Sequence, residues 1–265
     1  MDYEGFKKEI YAMTGINLSY YKEKQMKRRI DALIRKYDIN SYENYIKVIK
    51  TNTQLFNEFI NHITINVSEF YRNPEQWEIF EKDILPHILA KSRNPRIWSA
   101  ACSTGDEPYT IVMILNKYLP LNSIRIDATD IDEQALEKAK AGIYNYKSIE
   151  KLPNDLCRKY FDKKGDLYFI KEEVKRCVRF YKHDLLTDRY PSDCDLIVCR
   201  NVLIYFTEEA KNMIYAKFSK SLKDGGVLFV GSTEQIIMAS KYNFSSLRTF
   251  FYTKGNVTNF VQMGG

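Results

Sequence analysis

The sequence predicts a mostly parallel, doubly wound α/β sheet that follows a small N-terminal helical domain. From residue 95 onward, short apolar runs alternate with amphipathic helical segments, a pattern typical of a parallel sheet with helices on its faces. Over residues 1–62, apolar side chains instead recur at helical spacing between short polar breaks. The change in pattern indicates two domains.

The helical domain is predicted over residues 1–74, a linking helix over 75–94 and the sheet domain over 95–265. Helices are expected at 3–14, 22–37, 41–50, 52–63, 75–91, 107–118, 132–141 and 207–221. Strands are expected at 95–100, 124–130, 195–199, 227–230 and 247–253. Residues 166–170 and 176–181 are expected to pair as an antiparallel ribbon across 171–175, in a small inserted subdomain over about 157–182.

Composition excludes several protein classes. No run of eighteen apolar residues exists, and the N-terminus lacks the basic start and apolar stretch of a signal peptide, so we expect a cytoplasmic protein without membrane insertion. The 5 cysteines are scattered and odd in number, which favours reduced thiols over disulfides. The 3 histidines have no ligand spacing, so no metal site is expected.

Positive charge is concentrated in one predicted helix. Residues 20–37 hold 7 Lys and Arg against 2 Asp and Glu, a local charge of +5 out of +6 for the chain. On a helical wheel, Met26, Ile30, Leu33, Ile34 and Tyr37 share one face, and basic side chains lie opposite. This face is either a solvated outer surface or a docking surface for an acidic helix or nucleic acid. The candidate docking residues are Lys24, Lys27, Arg28 and Arg35.

A strand–turn–helix segment over residues 96–109 predicts a ligand site. Apolar Ile97 and Trp98 lead into a turn of small residues, and Asp106 and Glu107 then open a helix. Acids in this position disfavour a phosphate and favour a ligand with an amine, a sulfonium or ribose hydroxyls. Asp130, at the tip of the next strand, is suited to accept ribose hydroxyls. A nucleoside site without a pyrophosphate suggests S-adenosylmethionine.

Four sequence blocks, taken in order and spacing, resemble the CheR family of chemotaxis receptor methyltransferases. The blocks are Asn66–Arg72 (NVSEFYR), Trp98–Tyr109 (WSAACSTGDEPY), Ala128–Asp132 (ATDID) and Cys199–Phe206 (CRNVLIYF), and the similarity extends over roughly residues 1–253. The resemblance implies a Rossmann-like class I S-adenosylmethionine-dependent methyltransferase sheet with a small antiparallel β-subdomain and an N-terminal all-α domain. It also implies methyl transfer to glutamate side chains of chemoreceptor cytoplasmic domains, with S-adenosylhomocysteine as the product.

The resemblance also implies roles for individual residues. Arg72 and Tyr205 match the positions that hold the glutamate oxygen in line. The implied cofactor contacts are Asn66, Ser68, Arg72, Ala101, Glu107, Asp130, Asp184, Leu185, Arg200 and Asn201. Each has a plainer alternative: Ser68 could cap a turn, Asp130 could cap the next helix and Arg72 could form an ordinary ion pair. Tyr205 could be a core aromatic beside Phe206, and Asp184 could pair with His183 or a surface cation.

This chemistry needs few catalytic groups. Methyl transfer from a sulfonium to an ionised carboxylate is an in-line displacement, so the nucleophile needs no general base and the enzyme mainly aligns two reactants and excludes water. The segment Gly231–Glu234 differs from the usual family sequence, and no role is assigned to it. The expected ribbon carries no long glycine-rich loop, so we expect a member that does not dock on a receptor pentapeptide.

Two other functions remain as alternatives. A nucleic-acid methyltransferase would use the same fold and the basic helix, but Arg200-Asn-Val-Leu203 lacks the prolines that shape a flipped-base pocket. A non-catalytic binding module would keep the fold and recruit partners through the helical domain, although Arg72, Glu107, Asp130 and Tyr205 are all present.

Overall fold

The computed structural model describes residues 1–256, so the last part of the predicted sheet domain, residues 257–265, lies outside the described residues. The chain divides into two compact units. The first comprises Met1–Asn66 and Ile204–Met213, and the second comprises Val67–Leu203 and the described residues from Ile214 onward.

The first unit is helical. Its complete helices are α1 (Tyr3–Thr14), α2 (Glu23–Lys36), α3 (Tyr42–Thr51) and α4 (Thr53–Thr64). Side-chain caps begin three of them: the side chains of Asp2, Ser41 and Asn52 accept hydrogen bonds from backbone N–H groups three residues ahead. Phe6 and Phe59 are fully buried in edge-to-face contact, so the apolar faces of α1 and α4 meet in one core.

The second unit is built on strands and short helices. In chain order the strands are β1 (Ile97–Ala100), β2 (Ile126–Asp130), β3 (Ile143–Asn145), β4 (Phe161–Lys164), β5 (Leu167–Ile170), β6 (Val178–Lys182), β7 (Cys194–Cys199), β8 (Leu222–Val230), β9 (Phe244–Arg248) and β10 (Phe251–Lys254). The helices are α5 (Pro74–Ile79), α6 (Leu85–Lys91), α7 (Asp106–Leu115), α8 (Glu133–Ala141), α9 (Tyr146–Ile149), α10 (Asn154–Tyr160) and α11 (Glu172–Lys175), and α12 (Glu208–Ser221) begins in the first unit's second segment. A π-helical turn over Phe80–Ile84 joins α5 to α6.

Within residues 1–256, seven strands form the main sheet, in the order β6-β2-β1-β7-β8-β10-β9. The first five are parallel, and β10 pairs antiparallel with β8 and β9. Every residue of β7 is buried, as its continuous apolar sequence predicts for a parallel strand covered on both faces. The predicted α/β class with an N-terminal helical domain is confirmed.

The predicted antiparallel ribbon is wrong. Residues 176–181 do not pair with 166–170, because β6 joins the main sheet in parallel with β2, and residues 171–175 contain the helix α11 rather than a tight turn. The small antiparallel sheet is instead β3-β5-β4, with β4 and β5 joined by the two residues Gly165 and Asp166. Alternating apolar residues predicted that these segments are strands. The partner of β6, however, depends on the burial of Val178 beside Ile126, a residue distant in sequence.

Among residues 1–256, the helices are too short or too polar to cross a bilayer.

Candidate active site

Four neighbouring parallel strands end at one edge of the sheet, and predicted cofactor residues follow each of them. Ala101 follows β1, Asp130 ends β2, Asp184 lies two residues after β6, and Arg200 follows β7. Because the carboxyl ends of parallel strands meet at one edge, the fold gathers groups that are far apart in sequence.

The turn between β1 and α7 is tightly constrained. Ala101 and Ser103 have left-handed backbone conformations with φ of 59° and 49°, which are uncommon for residues other than glycine. At Gly105, φ is 87° and an added Cβ would lie 2.8 Å from the Ala139 Cβ, so only glycine fits there. The Cys102 N–H donates to the Thr129 carbonyl at 2.9 Å and fixes this turn against the end of β2.

Asp130 is a buried carboxylate, with 6% of the residue exposed. Its Oδ2 accepts from the Ser103 N–H at 2.7 Å, and its Oδ1 accepts from the Asp132 N–H at 3.0 Å. Burial outweighs these hydrogen bonds and raises the pKa of Asp130 to about 6. Asp132, rather than Asp130, caps α8 by accepting from the Gln134 N–H at 2.9 Å.

Glu107 lies on the first turn of α7. Its Oε1 accepts from the Ser99 hydroxyl at 2.9 Å, and its Oε2 lies 3.7 Å from Arg200 Nη1. Burial raises its pKa to about 7, against the opposing effects of Arg200 and Ser99. The Cys102 thiol has a pKa raised mainly by burial and further by the charges of Asp130 and Glu107. Both carboxylates therefore lie near the same thiol.

Arg200 is a buried cation with 7% of the residue exposed. Its Nη2 donates to the Arg72 carbonyl at 2.8 Å and to Gln76 Oε1 at 2.7 Å. The guanidinium lies 4.9 Å from the Trp77 ring centroid and 4.7 Å from that of Phe229. These contacts connect Glu107 to the backbone of the Arg72 segment, and a direct cofactor contact of Arg200 stays a prediction.

Arg72 lies in a strained segment. Its neighbours Tyr71 and Asn73 have positive φ of 55° and 59°, and its carbonyl accepts from Trp77 Nε1 at 3.0 Å as well as from Arg200. The Arg72 side chain is half-buried and donates to the Val67 carbonyl at 3.0 Å. It forms no ion pair with any residue of the described chain, and its charge lowers the pKa of Glu107. A hydrogen bond from Ser68 lowers the pKa of Asp106, although burial raises that pKa overall.

Asn66 and Tyr205 belong to the first unit. The Asn66 amide donates to Asn61 Oδ1 at 3.3 Å and to Thr64 Oγ1 at 3.1 Å. Tyr205 is half-buried and its carbonyl accepts from the Lys22 N–H at 2.8 Å, whereas Phe206 is buried against Tyr21. Phe206 is therefore the core aromatic of this pair, and the role of Tyr205, with Arg72, in holding a glutamate oxygen stays a prediction.

Asp184 shapes the turn after β6. Its Oδ1 accepts from the Leu186 N–H at 2.8 Å, and its own N–H donates to the Asp188 carboxylate at 2.8 Å. His183 Nε2 lies 3.3 Å from the Arg189 carbonyl. Leu185 is buried, and its carbonyl accepts from the Tyr190 hydroxyl at 2.7 Å.

Glu234 is a site residue that the sequence analysis missed. Its Oε2 accepts from the Asn201 N–H at 2.6 Å and from the Gly231 N–H at 2.8 Å. This carboxylate holds the loop after β7, where Asn201 has a φ of 61°. An added Cβ at Gly231 would lie 2.5 Å from Glu234 Oε2 and 2.7 Å from the Asn201 nitrogen. The Gly-x-x-Glu spacing directly after an apolar strand could have indicated such a backbone-binding carboxylate.

The basic face of α2 is exposed. Lys24, Lys27, Arg28 and Arg35 are solvent-accessible, while Met26, Ile30, Leu33 and Ile34 are buried, as the helical wheel predicts. The four cations form no ion pair within residues 1–256, although Lys27 Nζ lies 5.6 Å from the Tyr3 ring centroid.

The chain is similar to known proteins over almost all of its length. Two family models match it: "CheR methyltransferase, all-alpha domain" over residues 1–64 and "CheR methyltransferase, SAM binding domain" over residues 66–251. A chemotaxis protein methyltransferase from Listeria innocua is 44% identical over 254 residues, covering 96% of this chain and 97% of the relative. Proteins of the same description from Borreliella burgdorferi and Escherichia coli are 36% and 32% identical, covering 86% and 93% of this chain and 86% and 85% of their own lengths.

These matches confirm the predicted activity, an S-adenosylmethionine-dependent chemotaxis protein methyltransferase, and its cofactor. With both domain models matched in order, over residues 1–64 and 66–251, the chain belongs to the CheR methyltransferase family.

Proposed function

We propose that this enzyme methylates glutamate side chains in the cytoplasmic helical bundle of chemoreceptors, giving glutamyl methyl esters and S-adenosylhomocysteine. The observation that carries the proposal is a pair of carboxylates whose pKa values are raised by burial: Glu107 on the first turn of α7, close to the charge of Arg72, and Asp130 at the end of β2. In a chemotaxis pathway, this reaction would adapt the receptors to a sustained stimulus.

The buried carboxylates fit S-adenosylmethionine. Burial raises the pKa of Glu107 by disfavouring its charged form, and the α-ammonium of the cofactor would stabilise that charged form as a counter-ion. Asp130 would accept the ribose hydroxyls. Asn66, Ser68, Ala101, Asp184, Leu185, Arg200 and Asn201 would complete the binding site.

Residues of this chain would mainly orient the incoming glutamate. The cofactor supplies the methyl group on a sulfonium, and an ionised glutamate attacks without a general base. The Arg72 guanidinium would hold a glutamate oxygen through a charge-assisted hydrogen bond while staying protonated itself. The Tyr205 hydroxyl would donate to the same carboxylate and fix its direction.

Receptor docking would use the basic face of α2, with Lys24, Lys27, Arg28 and Arg35 facing acidic receptor helices. Such charges raise the association rate at low salt, and salt screens charges that are farther apart than the Debye length, about 10 Å at 0.1 M. The enzyme would act in the cytoplasm and be recruited to membrane receptor arrays.

The enzyme would act without a pentapeptide tether. The small sheet supports this, because β4 and β5 are joined by two residues only and the hairpin carries no long loop. Calorimetric titration with a receptor C-terminal pentapeptide should give no binding, and micromolar affinity would contradict this part of the proposal.

The experiment is methyl transfer from tritiated S-adenosylmethionine to a purified receptor cytoplasmic fragment. Wild-type enzyme should label the fragment, and mild base should release the label as methanol, because carboxyl esters hydrolyse readily. A label that resists base would exclude an ester, and label on RNA but not on the receptor would favour the nucleic-acid alternative.

A further inference from the structure

A second cleft opens at the opposite end of the main sheet, where β1, β2 and β6 begin. Its volume is about 500 Å³, within the size range of small-molecule sites. The 4 residues of β1 separate it from the strand ends that carry Ala101 and Asp130, a rise of roughly 13 Å. The cleft is therefore distinct from the methyl-transfer site.

Arginines dominate the lining of this cleft. Arg96, Arg125, Arg176 and Arg179 line it, against Asp127 as the one acid among its described lining residues, which gives a local charge of +3. Asp127 is already paired with Arg179 at 2.8 Å. The other three guanidinium groups form no ion pair within residues 1–256.

Neighbouring acids do not neutralise these charges. The Asp195 carboxylate accepts from the Arg96 backbone N–H at 2.7 Å, but its counter-ion is Lys223, 2.9 Å away. Glu172 pairs with Lys175 at 2.8 Å, and Lys175 lowers the pKa of Glu172 more than Arg176 does. Glu172 is therefore the counter-ion of Lys175 rather than of Arg176. The positive charge is therefore free to attract an anion from solution.

Strand register places two of these arginines side by side. Ile97 pairs with Ile126 at the start of β1 and β2, so Arg96 and Arg125, each one position earlier, directly precede adjacent strands at the same level. Like charges on adjacent strands destabilise a sheet, and a bound anion would remove that repulsion. Arginine also binds phosphate through two parallel N–H donors. An anion with several phosphate groups therefore fits this cluster of arginines better than a single carboxylate does.

The rest of the lining is largely apolar. Pro95, Ile97, Ile126 and Val178 are buried beneath the arginines, and Asn94 and Ser123 add an amide and a hydroxyl. A nucleoside polyphosphate matches both parts, since its ring system would pack on the aliphatic side chains and its phosphates would bind the guanidinium groups. We propose that this cleft binds a small organic polyphosphate of the nucleoside di- or triphosphate class.

Calorimetric titration of the full chain with ATP tests the proposal. Wild-type protein should bind ATP, and saturating S-adenosylhomocysteine should leave that binding unchanged. Arg96→Gln/Arg125→Gln should weaken ATP binding by at least about tenfold. S-adenosylmethionine should bind this variant as it binds wild type, which shows that the variant is folded. Arg176→Gln should weaken ATP binding as a second, independent variant.

Lys138→Gln/Lys140→Gln is the matched control, since it removes two exposed charges from α8 and should leave ATP binding unchanged. Absence of binding at about 1 mM ATP, displacement of ATP by S-adenosylhomocysteine, or equal binding by the double arginine variant would each overturn the proposal. Tripolyphosphate should bind more weakly than ATP, and equal affinity would refute the nucleoside assignment. Preferential binding of hexaglutamate would assign the cleft to acidic peptides instead.

Discussion

Replacing Glu107 by glutamine should change how cofactor affinity depends on pH. Burial raises the pKa of Glu107 to about 7 in the free protein, so about half of these carboxyls carry a proton at pH 7. If the cofactor ammonium binds this carboxylate, binding requires the charged form and displaces the proton. A glutamine in the same position keeps the shape of the side chain but has no proton to release.

The magnitude follows from the two raised pKa values. Between pH 6 and 7 the charged fraction of a group with a pKa of about 7 rises from about 0.09 to 0.5, so affinity for S-adenosylmethionine should rise about fivefold through Glu107. Asp130, with a pKa of about 6, adds a factor of less than about two. Between pH 6 and 7 the affinity of wild type for S-adenosylmethionine should therefore rise about tenfold, and that of Glu107→Gln less than about twofold. The substitution should in addition cost about 2 kcal/mol of binding free energy.

The raised pKa of Glu107 makes folding stability fall with rising pH, whereas it makes cofactor affinity rise. The folded free protein binds the Glu107 proton more tightly than the unfolded chain does, because its pKa is raised from 4.5 to about 7. This contribution to stability is full below pH 4.5 and is lost as the pH rises through about 7. Cofactor binding should therefore raise the melting temperature more at pH 7 than at pH 6.

The assay is isothermal titration calorimetry at pH 6 to 7, repeated in buffers of different ionisation enthalpy. At pH 7, wild type should release about 0.5 proton from Glu107 on binding, and Glu107→Gln should lack that release. Asp195→Asn is a control, because this buried carboxylate pairs with Lys223 at the other end of the sheet. Equal proton release by wild type and Glu107→Gln would refute the placement of the ammonium.

Four further predictions concern catalysis, loop geometry and docking. Arg72→Ala should lower kcat for receptor methylation about a hundredfold, and an unchanged rate would remove Arg72 from the mechanism. Gly231→Ala should weaken cofactor binding measured by calorimetry, because the added Cβ would clash with Glu234 and Asn201. Glu234→Ala should lower the free energy of unfolding by about 1–3 kcal/mol in denaturant titration, because two backbone N–H groups lose their acceptor. Lys24→Gln/Arg28→Gln should raise KM for the receptor fragment and reduce its salt dependence, while Lys47→Gln, an exposed control on α3 paired with Glu43, should do neither.

The amino-acid sequence alone determined the fold class and most helices and strands. The apolar run 195–199 predicted the buried strand β7, and helical spacing from Met26 to Ile34 predicted the buried face of α2. These features depend on residues close in sequence, and each pattern constrains its own element. Glu107 and Asp130 could be predicted as site residues for the same reason, since Asp130 ends β2 and Glu107 lies on the first turn of the helix that follows β1.

Tertiary structure alone decided the pairing of strands and the connections within the site. Residues 176–181 had the pattern of a strand, yet only burial of Val178 against β2 decided that they join the main sheet in parallel. Arg200 contacts the Arg72 carbonyl across 128 positions, and Glu234 binds Asn201 across 33. A local pattern cannot indicate such contacts, because their partners are selected by close packing and by the need of buried polar groups for hydrogen bonds.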